Sequence, residues 1–358
     1  MRIVVDGLPY PVIITDGAPA ETAALAGACK RCIVVCDRNA EVRGTLVADA
    51  LHDAGREVLS TEVVDSGERR KNWKTVSGLH EAFLRAEADR DTVVVAVGGG
   101  TLTDVAGFAA ATFMRGVRWL VVPTTLLGMV DAAIGGKTGI DRPEGKNLIG
   151  AMWQPIGVVA DVEALATLPA AQLRGGVAEI VKAALIGDPA LLENLEQFDQ
   201  TGEPGSWAQI IARAAGVKAR IVARDPDDRG ARAVLNLGHT FAHAIEFASR
   251  YRVPHGAAVA LGLRAAGVLA RELTGWSYTD HRHVLKVLRG AGLRVAITTL
   301  PIDSVLEAMR MDKKRSNGAL RFVLPVRLGE VRSGVVASVH AVREAVAALA
   351  TRPVRGVW

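Results

Sequence analysis

The chain has 358 residues, a length that favours two domains over one. Its net charge of +5 comes from scattered basic residues, and only 4% of the residues are aromatic, so the composition argues against a nucleic-acid partner and favours a small anionic ligand. No run approaches the ~20 apolar residues of a membrane span, and the N-terminus does not resemble a secretion signal. We therefore expect a cytoplasmic protein with no membrane partner.

The first half of the chain alternates strand and helix signals. MRIVVDGLPYPVII predicts two short strands, and further strands are predicted at RCIVVCD, EVLSTEVV, DTVVVAVGGG and RWLVVPTT. Helical periods in ADALHDAG, TVSGLHEAFLRAEA and DVAGFAAATFM separate them. Near-continuous Val and Ile runs between helices are typical of parallel strands covered on both faces. Residues 1–168 are therefore predicted to form a doubly wound α/β domain.

Two of the three cysteines, Cys29 and Cys32, form a C-x-x-C motif. Elsewhere this spacing can indicate a redox pair or half of a zinc site. Here no second pair follows, and the motif leads directly into the apolar strand CIVVC. We therefore expect buried, reduced thiols with no role in function.

After residue 168 the pattern changes to repeated helical periods separated by Gly, Pro or Asp. These segments run from VAEIVKAALI through LNLGHTFAHAIEFA to DSVLEAMR. Residues 169–358 are predicted to form an all-helical C-terminal domain, in which only LRFVLP and EVRSGVV suggest short strands. A ligand pocket is expected where the two halves meet.

The segment VVVAVGGGTLTD combines a predicted strand with three glycines, Gly98, Gly99 and Gly100, and the start of a helix. Glycines allow the backbone to approach a pyrophosphate, and the N-terminus of a helix offers free N–H groups. The spacing differs from G-x-G-x-x-G, so the motif alone leaves a plain tight turn as an alternative.

Residues 122–147 are rich in glycine and are predicted to be largely loop. Ammonium, amide and carboxylate groups of this kind recognise a phosphorylated polyol or keto acid. A solvated surface loop is the alternative, although the apolar flanks favour burial. The polar residues of this segment are Thr124, Thr125, Asp131, Lys137, Lys146 and Asn147.

The second half supplies residues that could bind a metal. Glu179 and Lys182 lie three apart in an apolar helix, where uncompensated charges are costly. His239 and His243 lie one helical turn apart and can reach one small object. A carboxylate with two imidazoles matches a catalytic zinc site. Spacing alone nominates His239 and His243 as the ligand pair, with two core histidines as the alternative.

The chain closely resembles the 3-dehydroquinate synthases, the shikimate-pathway members of the sugar phosphate cyclases. The resemblance extends from about residue 37 to residue 325 and rests on GGGTLTDVAGFAAATFMRGV, VPTTLLGMVDAAIGGKTGID, GKNLIGAMWQP, AEIVKAALI, LNLGHTFAHAIE and HGAAVALG. It implies a Rossmann-like N-terminal domain, a helical C-terminal domain and a homodimer. It also implies NAD and one divalent metal, Zn²⁺ or Co²⁺, as cofactors.

The resemblance also assigns residues. Metal ligands are implied at Glu179, His239 and His255. Catalytic roles are implied for His243, Lys182, Asp228 and Arg232, with Asp228 in place of the usual glutamate. The implied NAD contacts are Asp37, Asn39, Glu68, Lys71, Gly98, Gly99, Gly100, Asp104, Thr124, Thr125, Lys146 and Thr167. The implied substrate contacts are Asp131, Lys137, Asn147, Lys182, Lys218, Arg232, Asn236, His243, Lys313 and, from a partner subunit, Arg115.

The family reaction converts 3-deoxy-D-arabino-heptulosonate 7-phosphate into 3-dehydroquinate and phosphate. It consists of transient oxidation by NAD, β-elimination of phosphate, reduction and an intramolecular aldol closure. A metal suits the oxidation because it lowers the pKa of a bound hydroxyl, and cationic side chains favour the phosphate leaving group. Alternatives are an aminodehydroquinate synthase, another sugar phosphate cyclase, or a polyol dehydrogenase that uses a metal and NAD and releases NADH.

Overall fold

The structure of the protein is a computed structural model that describes residues 1–27, 29–198, 203–298, 300–315 and 320–350. The side chains of residues 311–315 lie outside this description. In the described part of the chain, no helix is both long and apolar enough to cross a membrane.

Strands and helices are numbered in chain order. The strands are β1 (Arg2–Val5), β2 (Val12–Thr15), β3 (Arg31–Asp37), β4 (Glu57–Val64), β5 (Val93–Gly98), β6 (Trp119–Pro123), β7 (Lys137–Arg142), β8 (Gly145–Met152), β9 (Gly157–Asp161), β10 (Arg321–Arg327) and β11 (Glu330–Val336). The helices are α1 (Ala18–Ala26), α2 (Glu41–Asp53), α3 (Trp73–Arg85), α4 (Gly100–Thr112), α5 (Ala170–Gly187), α6 (Ala190–Gln197), α7 (Ala208–Arg224), α8 (His239–Ala248), α9 (His255–Leu273), α10 (Tyr278–Gly290), α11 (Ile302–Arg315) and α12 (Val339–Ala347).

The chain divides into two compact units. One contains the chain up to Pro169 together with α7, and the other contains α5, α6 and the chain from Asp228 onward. The break after Pro169 lies next to the predicted boundary at residue 168, but α7 differs from the prediction because it packs on β1 and β2 of the first unit. Helical periodicity shows that one face of a segment is buried, but it does not identify the partner of that face.

The described residues of the first unit form a seven-stranded sheet in the order β1-β2-β9-β6-β5-β3-β4. β1 pairs antiparallel with β2, and the other neighbours pair in parallel. This arrangement confirms the doubly wound fold. The chain leaves β3 toward β4 on one side and returns with β5 on the other, so the carboxyl ends of β3 and β5 border a topological switch point, where open α/β sheets bind ligands.

The central strands of the sheet are buried on both faces, which explains why the Val-rich runs of the sequence predicted strands. Val34, Val95 and Val159 are fully buried on three different strands. The three cysteines are buried and unbridged, as expected, and the Sγ atoms of Cys29 and Cys32 lie 3.3 Å apart. β9 was not predicted, because its four apolar residues, 157–160, form a run too short to distinguish a strand from buried helix or coil.

The prediction that residues 122–147 are largely loop is wrong. A π-helical turn at Gly128–Ala132 is followed by an antiparallel hairpin of β7 and β8, in which Lys137 pairs with Met152 and Ile140 with Ile149. A strand is predicted from alternating apolar and polar residues. Glycines and charged residues interrupt that alternation here, so the sequence does not predict the hairpin.

The second unit is mainly helical, but it is not all-helical. β10 and β11 form an antiparallel hairpin at the two segments that suggested short strands. Among the helices, α9 is central and contacts both α5 and α8. Close packing of α5 against α9 depends on two glycines, because a Cβ on Gly256 would lie 2.2 Å from the Cα of Gly175.

We expect Gly256→Ala to lower the free energy of unfolding by about 1–3 kcal/mol, because the added methyl group overpacks the contact of α9 with α5. Urea denaturation followed by circular dichroism measures the change. Gly78→Ala on α3 is the matched control: a Cβ there has no neighbour within 4 Å, and alanine favours helix, so stability should be equal or higher. An unchanged urea midpoint for Gly256→Ala would contradict the close contact.

Candidate active site

The glycine segment forms the turn between β5 and α4. Gly99 occupies the N-cap position of α4 and has no side chain with which to cap it, so the first N–H groups of the helix can bind an anion. A Cβ on Gly99 would lie 3.1 Å from Thr125, and one on Gly100 would lie 3.0 Å from Ala132. A side chain at either position would crowd its neighbour, and the glycines leave backbone accessible along this turn, which fits the pyrophosphate of a dinucleotide.

Lys71 connects three elements beside the turn. This buried ammonium group donates hydrogen bonds to Asp104 on α4 and to Asn147 on β8. The backbone N–H of Asn147 donates to Asp141 at 2.8 Å, and the N–H of Asp141 donates to the carbonyl of Lys71, also at 2.8 Å. Burial raises the pKa of Asp104 to about 6, although Lys71 opposes the shift. Together these contacts hold the β7–β8 hairpin against the start of α4.

A second set of contacts surrounds the same helix N-terminus. The carboxylate of Glu68 lies 3.0 Å from the Nζ of Lys146 and accepts a hydrogen bond of 2.9 Å from Thr101. Thr124 is buried, and its N–H donates to the carbonyl of Gly98 at 3.0 Å. Six of the implied NAD contacts are thus linked in pairs: Lys71 with Asp104, Glu68 with Lys146, and Thr124 with Gly98.

The π-helical turn brings a further charged pair together. Lys218 on α7 pairs with the carboxylate of Asp131 and donates to the Asp131 carbonyl at 2.6 Å. This pairing joins α7 to the π-helical turn, in addition to the packing of α7 on β1 and β2. Thr167 also lies in this unit, where its hydroxyl donates to the carbonyl of Ala164 at 3.2 Å.

In the second unit, Glu179, His239 and His255 form what we call the acid–imidazole cluster. The Oε1 atom of Glu179 lies 3.3 Å from the Nε2 of His255 and 3.7 Å from the Nε2 of His239. Among the described residues this is the group that could hold a metal, with all three ligand atoms within 4.8 Å of one another. Oε1 is buried without a hydrogen-bond partner of suitable geometry in the described chain. The donor set fits a small divalent cation.

Electrostatics of the cluster favour a cation. Burial lowers the pKa of His239 to about 3, and Lys182 acts in the same direction, so this imidazole is neutral. Burial also lowers the pKa of His255, but contacts with Glu179 and Glu246 outweigh it and raise the pKa to about 10. Burial opposes a charge on Glu179, yet Lys182 and the hydrogen bond with His255 hold the pKa of Glu179 well below its ordinary value. A divalent ion would replace the proton that His255 otherwise attracts.

His243 lies next to this cluster but is not a member of the metal-binding group. Its ring centroid is 5.5 Å from that of His239 and 6.5 Å from that of His255. The ligand pair nominated by spacing alone, His239 with His243, therefore differs from the group that the tertiary structure assembles. Lys182 is buried beside the cluster, with its Nζ 2.7 Å from Glu179 Oε2.

The remaining predicted residues occupy varied positions. Arg232 is buried, on a 3-10 turn that ends at Asn236, and Asp228 precedes that turn with a φ of +58°. Lys137 and Arg115 are exposed. The side chain of Lys313, on α11, lies outside the described residues.

Sequence reasoning missed one residue, Glu246. Its carboxylate is buried on α8, with Oε2 3.5 Å from the Nδ1 of His255. Carboxylates that face the second nitrogen of a metal-binding histidine fix the orientation of its ring. The available signal was its position seven residues after His239, on the same helix face.

The family models and the sequence relatives indicate one family. The family model for the 3-dehydroquinate synthase N-terminal domain matches residues 61–175, and that for the C-terminal domain matches residues 176–315. The 3-dehydroquinate synthase of Synechococcus sp. strain CC9605 is 41% identical over 343 residues, which is 92% of each chain. That of Bordetella pertussis strain Tohama I is 39% identical and covers 93% of this chain and 94% of its own.

Solved structures show the same architecture. The 2-epi-5-epi-valiolone synthase of Streptomyces hygroscopicus subsp. jinggangensis, with NAD⁺ and Zn²⁺ bound, is 29% identical, covers 96% of this chain and 98% of its own, and has a TM-score of 0.86. A 2-deoxy-scyllo-inosose synthase with carbaglucose-6-phosphate, NAD⁺ and Co²⁺, at 23% identity, also has a TM-score of 0.86, over 97% of this chain and 99% of its own. The chain belongs to the 3-dehydroquinate synthase family.

Proposed function

We propose that the protein is an enzyme that converts 3-deoxy-D-arabino-heptulosonate 7-phosphate into 3-dehydroquinate and phosphate. The observation that carries this proposal is the acid–imidazole cluster in a chain that is 41% identical to a 3-dehydroquinate synthase over 92% of its length. We further propose a cytoplasmic homodimer, in which the exposed Arg115 contributes to the site of the partner subunit.

NAD and one divalent cation, Zn²⁺ or Co²⁺, are the proposed cofactors. Zn²⁺ and NAD⁺ are bound in the 2-epi-5-epi-valiolone synthase, and Co²⁺ accepts the same oxygen and nitrogen ligands. NAD would supply a reversible hydride acceptor, and the cation would bind vicinal hydroxyls of the substrate and polarise the ketone. Glu179, His239 and His255 would hold the cation, and the turn at Gly98–Gly100 would hold the pyrophosphate of NAD.

Charge compensation is the proposed task of the cationic residues. Lys182 neutralises the buried Glu179 and, together with Arg232, would balance the phosphate and carboxylate of the substrate. In the first unit, Lys218 is held by Asp131, so its ammonium group is fixed in place before any substrate arrives. Preorganised cations of this kind stabilise a developing phosphate dianion without paying for reorganisation.

Proton transfer is the proposed task of His243. Its ring lies edge-on to His239 at a centroid distance of 5.5 Å, so it stands beside the cation site while its own nitrogens remain outside the ligand group. Asp228, one methylene shorter than the glutamate usual in the family, would orient Arg232, which follows it on the adjacent 3-10 turn.

The deciding experiment incubates the purified protein with heptulosonate 7-phosphate, NAD and Zn²⁺, measures phosphate release and identifies the cyclised product. We expect stoichiometric phosphate and 3-dehydroquinate with no net NADH. Turnover of only the amino analogue would instead identify an aminodehydroquinate synthase. Accumulation of NADH would identify a dehydrogenase.

We expect His239→Ala and His255→Ala to lose bound Zn²⁺ and activity together, because each removes a ligand. His243→Ala should retain the metal and lower kcat by roughly 10²- to 10⁴-fold, the usual contribution of a general acid–base group. Metal analysis of the dialysed variants alongside rate measurements tests this. Zinc-free His243→Ala protein would refute the division of roles.

We expect Glu246→Gln to weaken Zn²⁺ binding by about 10- to 100-fold, because the amide no longer holds the His255 ring as a carboxylate does. Competition with a chelator of known affinity measures the dissociation constant. Glu272→Gln, on the exposed surface of α9, changes the same charge and should leave the affinity unchanged. Equal affinities in the two variants would exclude this role for Glu246.

A further inference from the structure

The carboxyl end of β3 carries an acidic side chain at the topological switch point. Asp37 is the last residue of β3, and the preceding Cys36 pairs with Val97 of β5. A Cβ on Gly98 would lie 2.9 Å from the Cβ of Asp37, so this carboxylate borders the glycine turn directly. In doubly wound folds, an acidic residue near the glycine turn accepts a hydrogen bond from the adenosine ribose, and a nearby arginine accommodates a 2′-phosphate instead.

Local hydrogen bonds fix the orientation of Asp37. Its Oδ1 accepts from the backbone N–H of Asn39 at 2.8 Å and from the hydroxyl of Ser66. Because both bonds use Oδ1, Oδ2 is the atom that can accept from a ribose hydroxyl. Ser66 follows the end of β4, so the chain just after β4 lies against the proposed ribose position.

Arg38 and Arg70 lie close to the proposed ribose position, and both form ion pairs with Asp65. The Nε of Arg38 donates to Asp65 Oδ1 at 2.8 Å, and the Nη2 of Arg70 donates to Asp65 Oδ2 at 2.5 Å. Hydrogen bonding with Arg38 and the charge of Arg70 hold the pKa of Asp65 below its ordinary value, so the carboxylate stays ionised. Arg38 directly follows Asp37. Without its pairing to Asp65, an arginine at this position could bind a 2′-phosphate.

We propose that Asp65 makes the protein select NAD over NADP, because its carboxylate pairs with Arg38 and Arg70, the two cations that a 2′-phosphate would require. The inference rests on the proposed use of a nicotinamide dinucleotide and adds a specificity-determining residue that does not itself contact NAD. The negative charge of Asp37 repels a 2′-phosphate. Asp65 disfavours the phosphate because it already pairs with the two arginines that would bind it. Specificity of this kind needs both a favourable contact for one ligand and an unfavourable one for the other.

Calorimetric titration of the cofactor-free protein with NAD and with NADP tests the proposal without relying on turnover. Asp65→Asn keeps the shape of the side chain and removes the negative charge that pairs with both guanidinium groups. We expect NADP to bind about tenfold more tightly than to the unsubstituted protein, the size of one charge-assisted hydrogen bond, while NAD affinity is unchanged. The double variant Asp65→Asn with Arg38→Gln should lose most of that gain.

Glu57→Gln is the matched control, because it removes the same charge from the opposite end of β4, where Glu57 pairs with Arg31 at 3.5 Å. It should leave both affinities unchanged. Equal NADP affinities for Asp65→Asn and the unsubstituted protein would overturn the inference, as would a gain of the same size in Glu57→Gln. If the unsubstituted protein bound no NAD, the proposed function itself would fail, which is a separate result.

Discussion

The buried charge of Glu179 is the constraint on which the second unit depends. A carboxylate in the middle of an apolar helix is stable only when opposite charges surround it. Lys182 supplies one of these charges from the same helix, and His255 supplies another from α9, while the neutral ring of His239 approaches from α8. Close packing of those helices therefore stabilises the buried charge as well as the apolar core. On the far side of the His255 ring, the carboxylate of Glu246 faces the other ring nitrogen.

In the first unit the corresponding constraint is the N-terminus of α4, which has no capping side chain. A helix start with no capping side chain has N–H groups that need an acceptor, and an anion can supply it. The linked pairs around Lys71 and Glu68 hold the β7–β8 hairpin beside it. Most of these partners lie far apart along the chain, so the arrangement requires the whole unit to be folded.

The sequence was most informative where one local pattern decides the structure. The Val-rich strands β3 and β5 were predicted because a strand buried on both faces is apolar throughout. The short strand β9 and the β7–β8 hairpin were not, because a brief apolar run is ambiguous and glycines conceal alternation. The position of α7 was also missed, since its contacts with β1 and β2 are non-local.

By itself the sequence determined the fold class, the glycine turn and the family to which the motifs point, because these depend on local periodicity and on motif order. Spacing along the chain did not decide which side chains meet; the tertiary structure did, and it assembles the same three ligands that the family resemblance implies. His239 and His243 are neighbours along one helix, yet His239 is grouped with Glu179 and His255, from two other helices, because interatomic distance and not sequence spacing selects metal ligands. The same is true of Asp65 and Arg38, which come together only because β4 pairs with β3.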